Sequence, residues 1–293
     1  MILYRFFLMI DAFLMSLPRS WRKKLFLALA DAAHLFALKR NRVIRQNLTF
    51  AFDQTLNSQE RQEIERYCYR NLALNLLQTM ENRRNSPEQI ASMVTFNNRE
   101  CVDTLLAEGK GIIFVSAHFG NWELAGAAIS SLITPIASIY RGFKRSEFDP
   151  YLHEARSRHR MELAEKNGAL KHIAKTLKKN GSTLIMIDQA SNAKYGVKVD
   201  FFNHPTYHFS TAAHLASKFH TPIIGVYITT EDDNHYTITF ENPIVLENSD
   251  DASILEATTQ QVRTLEKLIQ EHPKLWFWCH KRWKGEYKDI YTG

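Results

Sequence analysis

Residues 111–123 read Gly-Ile-Ile-Phe-Val-Ser-Ala-His-Phe-Gly-Asn-Trp-Glu, and this stretch decides the fold. Its first seven residues are apolar enough for a buried central strand. Asn121 then suits the N-cap of a helix that begins at Trp122, with Glu123 in its first turn. His118 therefore follows the carboxyl end of a strand, which is where open α/β sheets bind their ligands.

The rest of the chain repeats this alternation of strands and helices. β-rich runs are Met93–Phe96, Gly111–Ser116, Pro135–Tyr140, Ser182–Ile187, Pro222–Thr229, Tyr236–Phe240 and Leu275–His280. Helical patterns are Ser58–Met80 (capped by Ser58), Arg99–Glu108, Trp122–Leu132, Phe148–Asn167, Leu170–Lys179, Thr211–Phe219 and Ala252–Glu271. This order predicts an α/β fold, with a central mostly parallel or mixed sheet flanked by helices. We assign residues 46–293 to this domain.

His118 and Glu123 form a candidate catalytic pair. Five residues along a continuous helix rotate by about 500°, which would leave the two side chains roughly 140° apart. They can meet only if residues 118–121 form a turn, and Gly120-Asn121 has suitable turn chemistry. Glu123 would then accept a hydrogen bond from one nitrogen of His118, while the other nitrogen takes a proton from an attacking hydroxyl. The alternative is a structural histidine beside an unrelated surface glutamate.

The amino-terminal segment, residues 1–45, predicts contact with a membrane. The chain carries a formal charge of +6, yet residues 1–50 hold nine Lys/Arg against two acids, so the remainder is close to neutral. A basic end indicates an anionic partner, phospholipid or nucleic acid, and the accompanying Leu and Phe favour lipid. The apolar runs 2–17 and 25–38 are short for spanning a bilayer. We expect two helices in the membrane interface, with one tilted span as the alternative.

Three cysteines and twelve histidines restrict other classes of function. Cys68, Cys101 and Cys279 lie far apart, which argues against a zinc site or a disulfide framework and fits a reducing compartment. The chain has no His-Glu-x-x-His motif or comparable ligand cluster. We therefore expect neither a metal nor another cofactor, and metal analysis of the purified protein would test this expectation.

The 111–123 stretch resembles the signature block of the late acyltransferases of lipid A biosynthesis, within the lysophospholipid acyltransferase superfamily. The resemblance spans nearly the whole chain in the right order. Its further matches are Asn47–Phe52, Tyr140-Arg141, Ile187-Asp188-Gln189, Val199–Pro205 and Trp278–Lys284.

This resemblance implies an enzyme that moves a fatty acyl chain from acyl carrier protein to a lipid A precursor. The acceptor would be the hydroxyl of a 3-hydroxyacyl chain, at the cytoplasmic face of the inner membrane. By the family motif, His118 would be the base and Glu123 its partner, with Arg141 and Asp188 as further active-site residues.

Arg141 and Asp188 can also be argued from position, because each follows a predicted strand and could reach the same sheet edge as His118. A guanidinium there suits a phosphate, although an ordinary salt bridge is the alternative. Asp188 could orient Arg141 or the substrate. Phe201, Phe202 and Phe209 could line an acyl channel or belong to the core. The carboxyl-terminal aromatic and basic residues could meet lipid or carrier protein, but alternate positions on a strand face opposite ways, so some of them must be core (Trp276, Phe277, Trp278, Lys281, Arg282, Trp283, Lys284).

Two other functions compete with this reading. A related transferase could acylate another glycolipid, such as a phosphoinositide mannoside. A non-catalytic membrane-binding or nucleic-acid-binding protein would explain the basic amino end. It gives no reason for His118, Arg141 and Asp188 to follow successive strands, so we predict a membrane-bound O-acyltransferase that does not bind nucleic acid.

Overall fold

The computed structural model describes residues 2–53, 55–140, 148–165 and 168–292, and within them seven strands form one sheet. The order across the sheet is β1-β9-β8-β2-β5-β3-β4, and a two-stranded hairpin, β6-β7, stands apart from it. Five neighbouring strands, from β8 to β4, run parallel, whereas β9 is antiparallel to β8 and β1 follows β9. The predicted α/β fold with a mostly parallel, mixed sheet is confirmed. The strands are β1 Val94–Asn97, β2 Ile113–Ser116, β3 Ile136–Tyr140, β4 Met161–Glu165, β5 Ser182–Met186, β6 Gly196–Phe201, β7 His204–Phe209, β8 Ile223–Thr229 and β9 Tyr236–Phe240.

Helices cover both faces of the sheet. Successive side chains of β2 point to opposite faces, as strand geometry requires. Phe114 packs with residues of α7, and Ile113 and Val115 pack with residues of α9, α10 and α11. β2 is therefore buried on both sides, which explains its continuous apolar sequence. The helices are α1 Ile2–Ser16, α2 Arg19–Phe36, α3 Leu38–Phe52, α4 Ser58–Asn82, α5 Pro87–Ala91, α6 Glu100–Ala107, α7 Trp122–Leu132, α8 Asp149–Ser157, α9 Ala169–Leu177, α10 Thr211–Phe219 and α11 Asp251–Glu271.

Three sequence predictions need correction. The helix predicted over Phe148–Asn167 ends at Ser157 and is followed by strand β4. The strand predicted over Leu275–His280 is instead a short 3₁₀ turn, Pro273–Leu275, followed by irregular chain. The cap of α4 is Asn57 rather than Ser58, because the Asn57 side chain accepts from the Glu60 N–H and the Glu60 carboxylate bonds back to the Asn57 N–H.

The amino-terminal helices pack on the domain. α2 lies along α4, and α3 enters the core through Ile44 and Leu48, which are both fully buried. Across the described part of the chain, no helix combines the length and the hydropathy that crossing a bilayer requires.

Candidate active site

The chain turns sharply between β2 and α7. Gly120 has a φ of +56°, and an added Cβ would lie 2.2 Å from the Ile228 carbonyl oxygen, so only glycine fits there. The Asn121 side chain accepts from the Leu124 N–H and caps α7, which begins at Trp122 as predicted.

Backbone hydrogen bonds from the segment after α11 hold this turn. The Gly120 N–H donates to the Leu275 carbonyl at 2.9 Å, and the Phe277 N–H donates to the His118 carbonyl at 2.9 Å. From α4, the Asn75 side chain donates to the Gly120 carbonyl at 2.9 Å. His118 therefore stands on a backbone fixed from two sides.

Asp188 is the hydrogen-bond partner of His118. Strands β2 and β5 are parallel neighbours, with Ser116 opposite Met186. Two residues after Ser116 the chain reaches His118, and two residues after Met186 it reaches Asp188. His118 Nδ1 lies 2.9 Å from Asp188 Oδ1, and the indole N–H of Trp276 donates to Asp188 Oδ2 at 3.2 Å. An ionised carboxylate only accepts hydrogen bonds, so in the neutral imidazole Nδ1 carries the proton and Nε2 has the lone pair.

The electrostatics of the pair favour a charged imidazole. Burial alone would lower the pKa of His118, but the adjacent Asp188 carboxylate outweighs it and holds this pKa above its ordinary value. Burial would likewise raise the pKa of Asp188, and the attraction and hydrogen bond of His118 instead bring it below its ordinary value. Asp188 is thus an anion at neutral pH although it is only 4% exposed.

Glu123 is placed differently from the prediction. Its carboxylate hydrogen bonds to Arg156 of α8 instead of His118, with Nη2 at 2.5 Å from Oε1 and Nε at 3.1 Å from Oε2. Burial would lower the pKa of Arg156, yet the Glu123 charge raises it above its ordinary value. The negative charge of Glu123 also contributes to the raised pKa of His118. The acid is therefore near the imidazole and acts on it through charge.

Arg156 is a site residue that the sequence does not reveal. It follows no strand and belongs to no motif, and it reaches Glu123 only because α8 packs beside α4 and β4. Arg141, predicted to lie at this edge, is outside the described residues.

A cavity of about 420 Å³ opens beside the pair. His118, Glu123 and Arg156 lie on its wall together with Gln189 and Phe209. The remaining lining residues are mostly apolar and come from α7 and strands β2, β3, β4, β5 and β8 (Trp122, Ala125, Gly126, Ile129, Ile139, Met161, Leu163, Leu184, Ile185, Met186, Val226, with Ser116 and Ser138). The site therefore joins an imidazole bound to a carboxylate, and a fixed ion pair, to a space suited to a hydrocarbon chain.

Several aromatic residues turn out to be core. Phe201 and Phe202 are buried in one cluster with three tryptophans, so of the predicted channel residues only Phe209 lines the cavity (the tryptophans are Trp276, Trp278 and Trp283). Arg282 is also buried, at 1% exposure, and burial lowers its pKa to about 10. The prediction that some of the carboxyl-terminal aromatic and basic residues are core is confirmed for the three tryptophans and Arg282, which do not face lipid or carrier protein.

A larger surface cavity of about 660 Å³ lies between α3 and the β6-β7 hairpin. Its histidine, His204, bonds the Phe50 carbonyl and stacks on the Phe50 ring, which is a structural role. Among the side chains that the structure places, no group of three or more His, Cys, Asp or Glu is arranged to hold a metal ion.

The family model for bacterial lipid A biosynthesis acyltransferases matches residues 2–285 of the sequence, nearly the whole chain. No curated protein matches the chain.

Proposed function

The chain belongs to the family of bacterial lipid A biosynthesis acyltransferases, and from this membership and the site we propose a specific reaction. The enzyme transfers a fatty acyl chain from acyl carrier protein to the hydroxyl of a 3-hydroxyacyl chain on a lipid A precursor. The observation that carries the proposal is the His118–Asp188 pair, whose imidazole lies on the wall of a cavity lined mostly by apolar residues.

In this reaction His118 is the general base. As the acceptor oxygen attacks the thioester carbonyl, Nε2 takes the hydroxyl proton and Asp188 stabilises the resulting imidazolium. The tetrahedral intermediate then collapses, the C–S bond breaks, and the departing thiolate receives the proton from the imidazolium. A thioester needs no prior activation, so these residues supply the acid–base chemistry of both steps.

Glu123 and Arg156 assist without touching Nδ1. The Glu123 carboxylate favours the imidazolium through its charge and fixes the guanidinium of Arg156 by two hydrogen bonds. We assign Arg156 to stabilising the oxyanion of the tetrahedral intermediate, because it lines the cavity and carries a fixed positive charge.

The acyl chain occupies the apolar part of the cavity. Gly126 on α7 faces Met161 on β4, and a Cβ added at Gly126 would lie 3.0 Å from the Met161 methyl carbon. The absence of a side chain at Gly126 therefore lets Met161 approach α7 closely where both residues line the cavity.

A lysine-rich segment supports an acidic carrier protein as the donor. Residues 168–220 contain seven lysines, all exposed, and two acids, of which Asp188 is buried (Lys171, Lys175, Lys178, Lys179, Lys194, Lys198, Lys218). A groove of about 450 Å³ beside this segment is bordered by Lys194, Lys218 and Ser210, close along the chain to Gln189 and Phe209 of the His118 cavity. Such charge complementarity steers an acidic partner toward the cavity mouth.

Exchanging lysines for glutamates in this groove tests the donor. Lys194→Glu/Lys218→Glu should raise KM for acyl carrier protein thioesters and leave KM for a short soluble thioester unchanged. Lys110→Glu, on an exposed loop before β2, is the matched control. Equal KM values for the groove variant and the control would remove this argument for a carrier donor.

The amino-terminal helices support binding at the cytoplasmic face of the inner membrane. Large apolar side chains are exposed along them, most of all Phe36 at 85% and Leu38 at 75% (also Leu3, Phe6, Met9, Ile10, Phe13, Trp21, Leu25, Leu29, Leu35). Exposed basic residues, Lys24, Lys39 and Arg40, lie among them. This combination suits helices seated in the headgroup region of an anionic bilayer.

Membrane binding is best tested by point substitutions, because deleting residues 1–45 would also remove buried Phe26 and Ile44. Replacing Phe6, Met9 and Phe13 by serine should abolish sedimentation with phosphatidylglycerol-containing vesicles. Unchanged sedimentation would contradict an α1 contact with the bilayer.

The reaction itself is tested by mass spectrometry of a lipid A precursor incubated with acyl carrier protein thioester and the enzyme. The precursor should gain one acyl group, and folded His118→Ala should be slower by about 10²- to 10⁴-fold. His235→Ala, an exposed histidine, is the control. Normal turnover by His118→Ala would refute the mechanism. If the enzyme acylated a phosphoinositide mannoside but not the lipid A precursor, the proposed acceptor would be wrong.

A further inference from the structure

Helix α1 holds one acid, Asp11, which is buried at 1% exposure. Asp11 Oδ2 lies 2.6 Å from Arg84 Nη2 and 3.1 Å from Arg83 Nη1, both at the end of α4. The hydroxyl of Tyr151, on α8, donates to Asp11 Oδ1 at 2.6 Å. A buried carboxylate needs such partners, and removing its charge would leave these donors without their acceptor.

Aromatic contacts continue the connection from α1 to α8. The ring of Phe7 meets Tyr151 and Phe148 edge to face, with centroids 4.9 and 5.4 Å apart. Tyr4 meets Phe148 in the same way at 6.0 Å. α1 therefore covers the first half of α8 with side chains as well as with a hydrogen bond.

Helix α8 carries the cation of the active site. It has nine residues, too few to be stable without tertiary contacts. Arg83 bonds Glu154 of α8 at 2.6 Å, so the Asp11 cluster holds α8 at two points, Tyr151 and Glu154. Arg156 is two residues further along and bonds Glu123.

The opposite face of α1 is apolar and exposed, with Phe6 at 58%, Met9 at 69% and Phe13 at 65%. The helix thus has one face suited to lipid and one face fixed to α8. We propose that Asp11 is a positioning residue that couples the membrane-facing helix α1 to α8 and thereby sets Arg156 against Glu123 for acyl transfer. This inference rests on the proposed function for its effect on catalysis, but the coupling of α1 to α8 is a separate property.

A matched pair of variants tests the coupling. Asp31, on α2, is also held by two arginines of α4, Arg66 and Arg70, but its contacts do not reach α8. Asp11→Asn should lower kcat roughly tenfold to a hundredfold, as small displacements of catalytic groups do, with KM for the donor unchanged. Asp31→Asn should keep kcat, and both variants should bind vesicles like the wild type. If Asp11→Asn fails to fold, Tyr151→Phe takes its place in the test, because it removes one hydrogen bond from the same carboxylate.

A double-mutant cycle separates positioning from general loss of stability. Asp11→Asn should add little to the defect of Arg156→Lys, because the group being positioned is already altered. Equal kcat for Asp11→Asn and Asp31→Asn, or a full additional loss in the Arg156→Lys background, would overturn the proposal.

Hydrogen exchange tests the coupling independently of any substrate. Amides of α8 should exchange faster in Asp11→Asn and at the wild-type rate in Asp31→Asn, while α10 is unchanged in both. Unaltered exchange in α8 would refute the coupling even if the enzyme is active. If α8 exchanges faster in Asp11→Asn but the wild-type enzyme shows no acyl transfer, the coupling stands and the proposed function is refuted.

Discussion

Replacing Asp188 by asparagine isolates the charge of the carboxylate. Asp188 accepts two hydrogen bonds, from His118 Nδ1 at 2.9 Å and from Trp276 Nε1 at 3.2 Å. Asparagine offers one acceptor oxygen, and its NH₂ group would face one of these two N–H donors. One buried donor is then left without a partner, and the imidazolium loses its counter-charge.

The size of the effect follows from these contacts. A hydrogen bond to a charged group contributes about 1.5–3 kcal/mol, and about 1.4 kcal/mol corresponds to a factor of ten in rate. Asp188→Asn should therefore lower kcat by about tenfold to a hundredfold. The unpaired donor should also lower the free energy of unfolding by about 1–3 kcal/mol, so the assay belongs well below the unfolding temperature.

The pH profile distinguishes this mechanism from a simple loss of stability. His118 must be neutral to accept a proton, so wild-type activity is lost as pH falls through the raised pKa of His118. Without Asp188, burial dominates and lowers this pKa, which moves the acid limb of the kcat/KM profile to lower pH. Steady-state kinetics from pH 5 to pH 9 would measure both changes, with Asp103→Asn, an exposed acid, as the control. A folded Asp188→Asn enzyme with wild-type kcat and an unmoved acid limb would refute the reasoning.

Three further substitutions probe other parts of the site. Arg156→Lys keeps the charge but loses the paired hydrogen bonds to Glu123, so kcat should fall about tenfold or more in the same kinetic assay. A normal kcat would mean that a positive charge at this position is sufficient for catalysis. Gly126→Leu should fill the cavity and shift donor preference toward shorter acyl chains, measured as kcat/KM over a chain-length series; an unchanged preference would place the acyl chain elsewhere. In a denaturant titration, Gly120→Ala should lower the free energy of unfolding by more than Gly109→Ala does. Both glycines have positive φ, but of the two only Gly120 lies against neighbouring backbone, so equal losses would contradict this prediction.

The sequence was most informative where several local signals agreed. The apolar run before His118, the Gly120-Asn121 turn and the Asn121 cap together predicted β2, the turn and the start of α7. Each of these features depends on neighbouring residues alone, so no knowledge of the sheet order was needed.

Strand β4 shows why other elements were missed. Residues 161–165 read Met-Glu-Leu-Ala-Glu, all favourable helix formers, and they continue a helical pattern. In the structure they pair with β3 at the edge of the sheet, with Ile136 opposite Met161. Tertiary pairing overrides propensity here, and the same pairing ends α8 at a length that places Arg156 beside Glu123.

The partner of His118 illustrates the same limit at the level of chemistry. Glu123 is five residues from His118 in sequence and matches the local motif, whereas Asp188 is seventy residues away. In a parallel sheet, however, residues the same distance beyond paired positions of neighbouring strands lie side by side. Ser116 pairs with Met186, so the residues two beyond them, His118 and Asp188, meet once β2 and β5 are known to be neighbours. Strand adjacency, which one sequence does not specify, therefore decides which acid holds the imidazole and leaves the local acid free to bind Arg156.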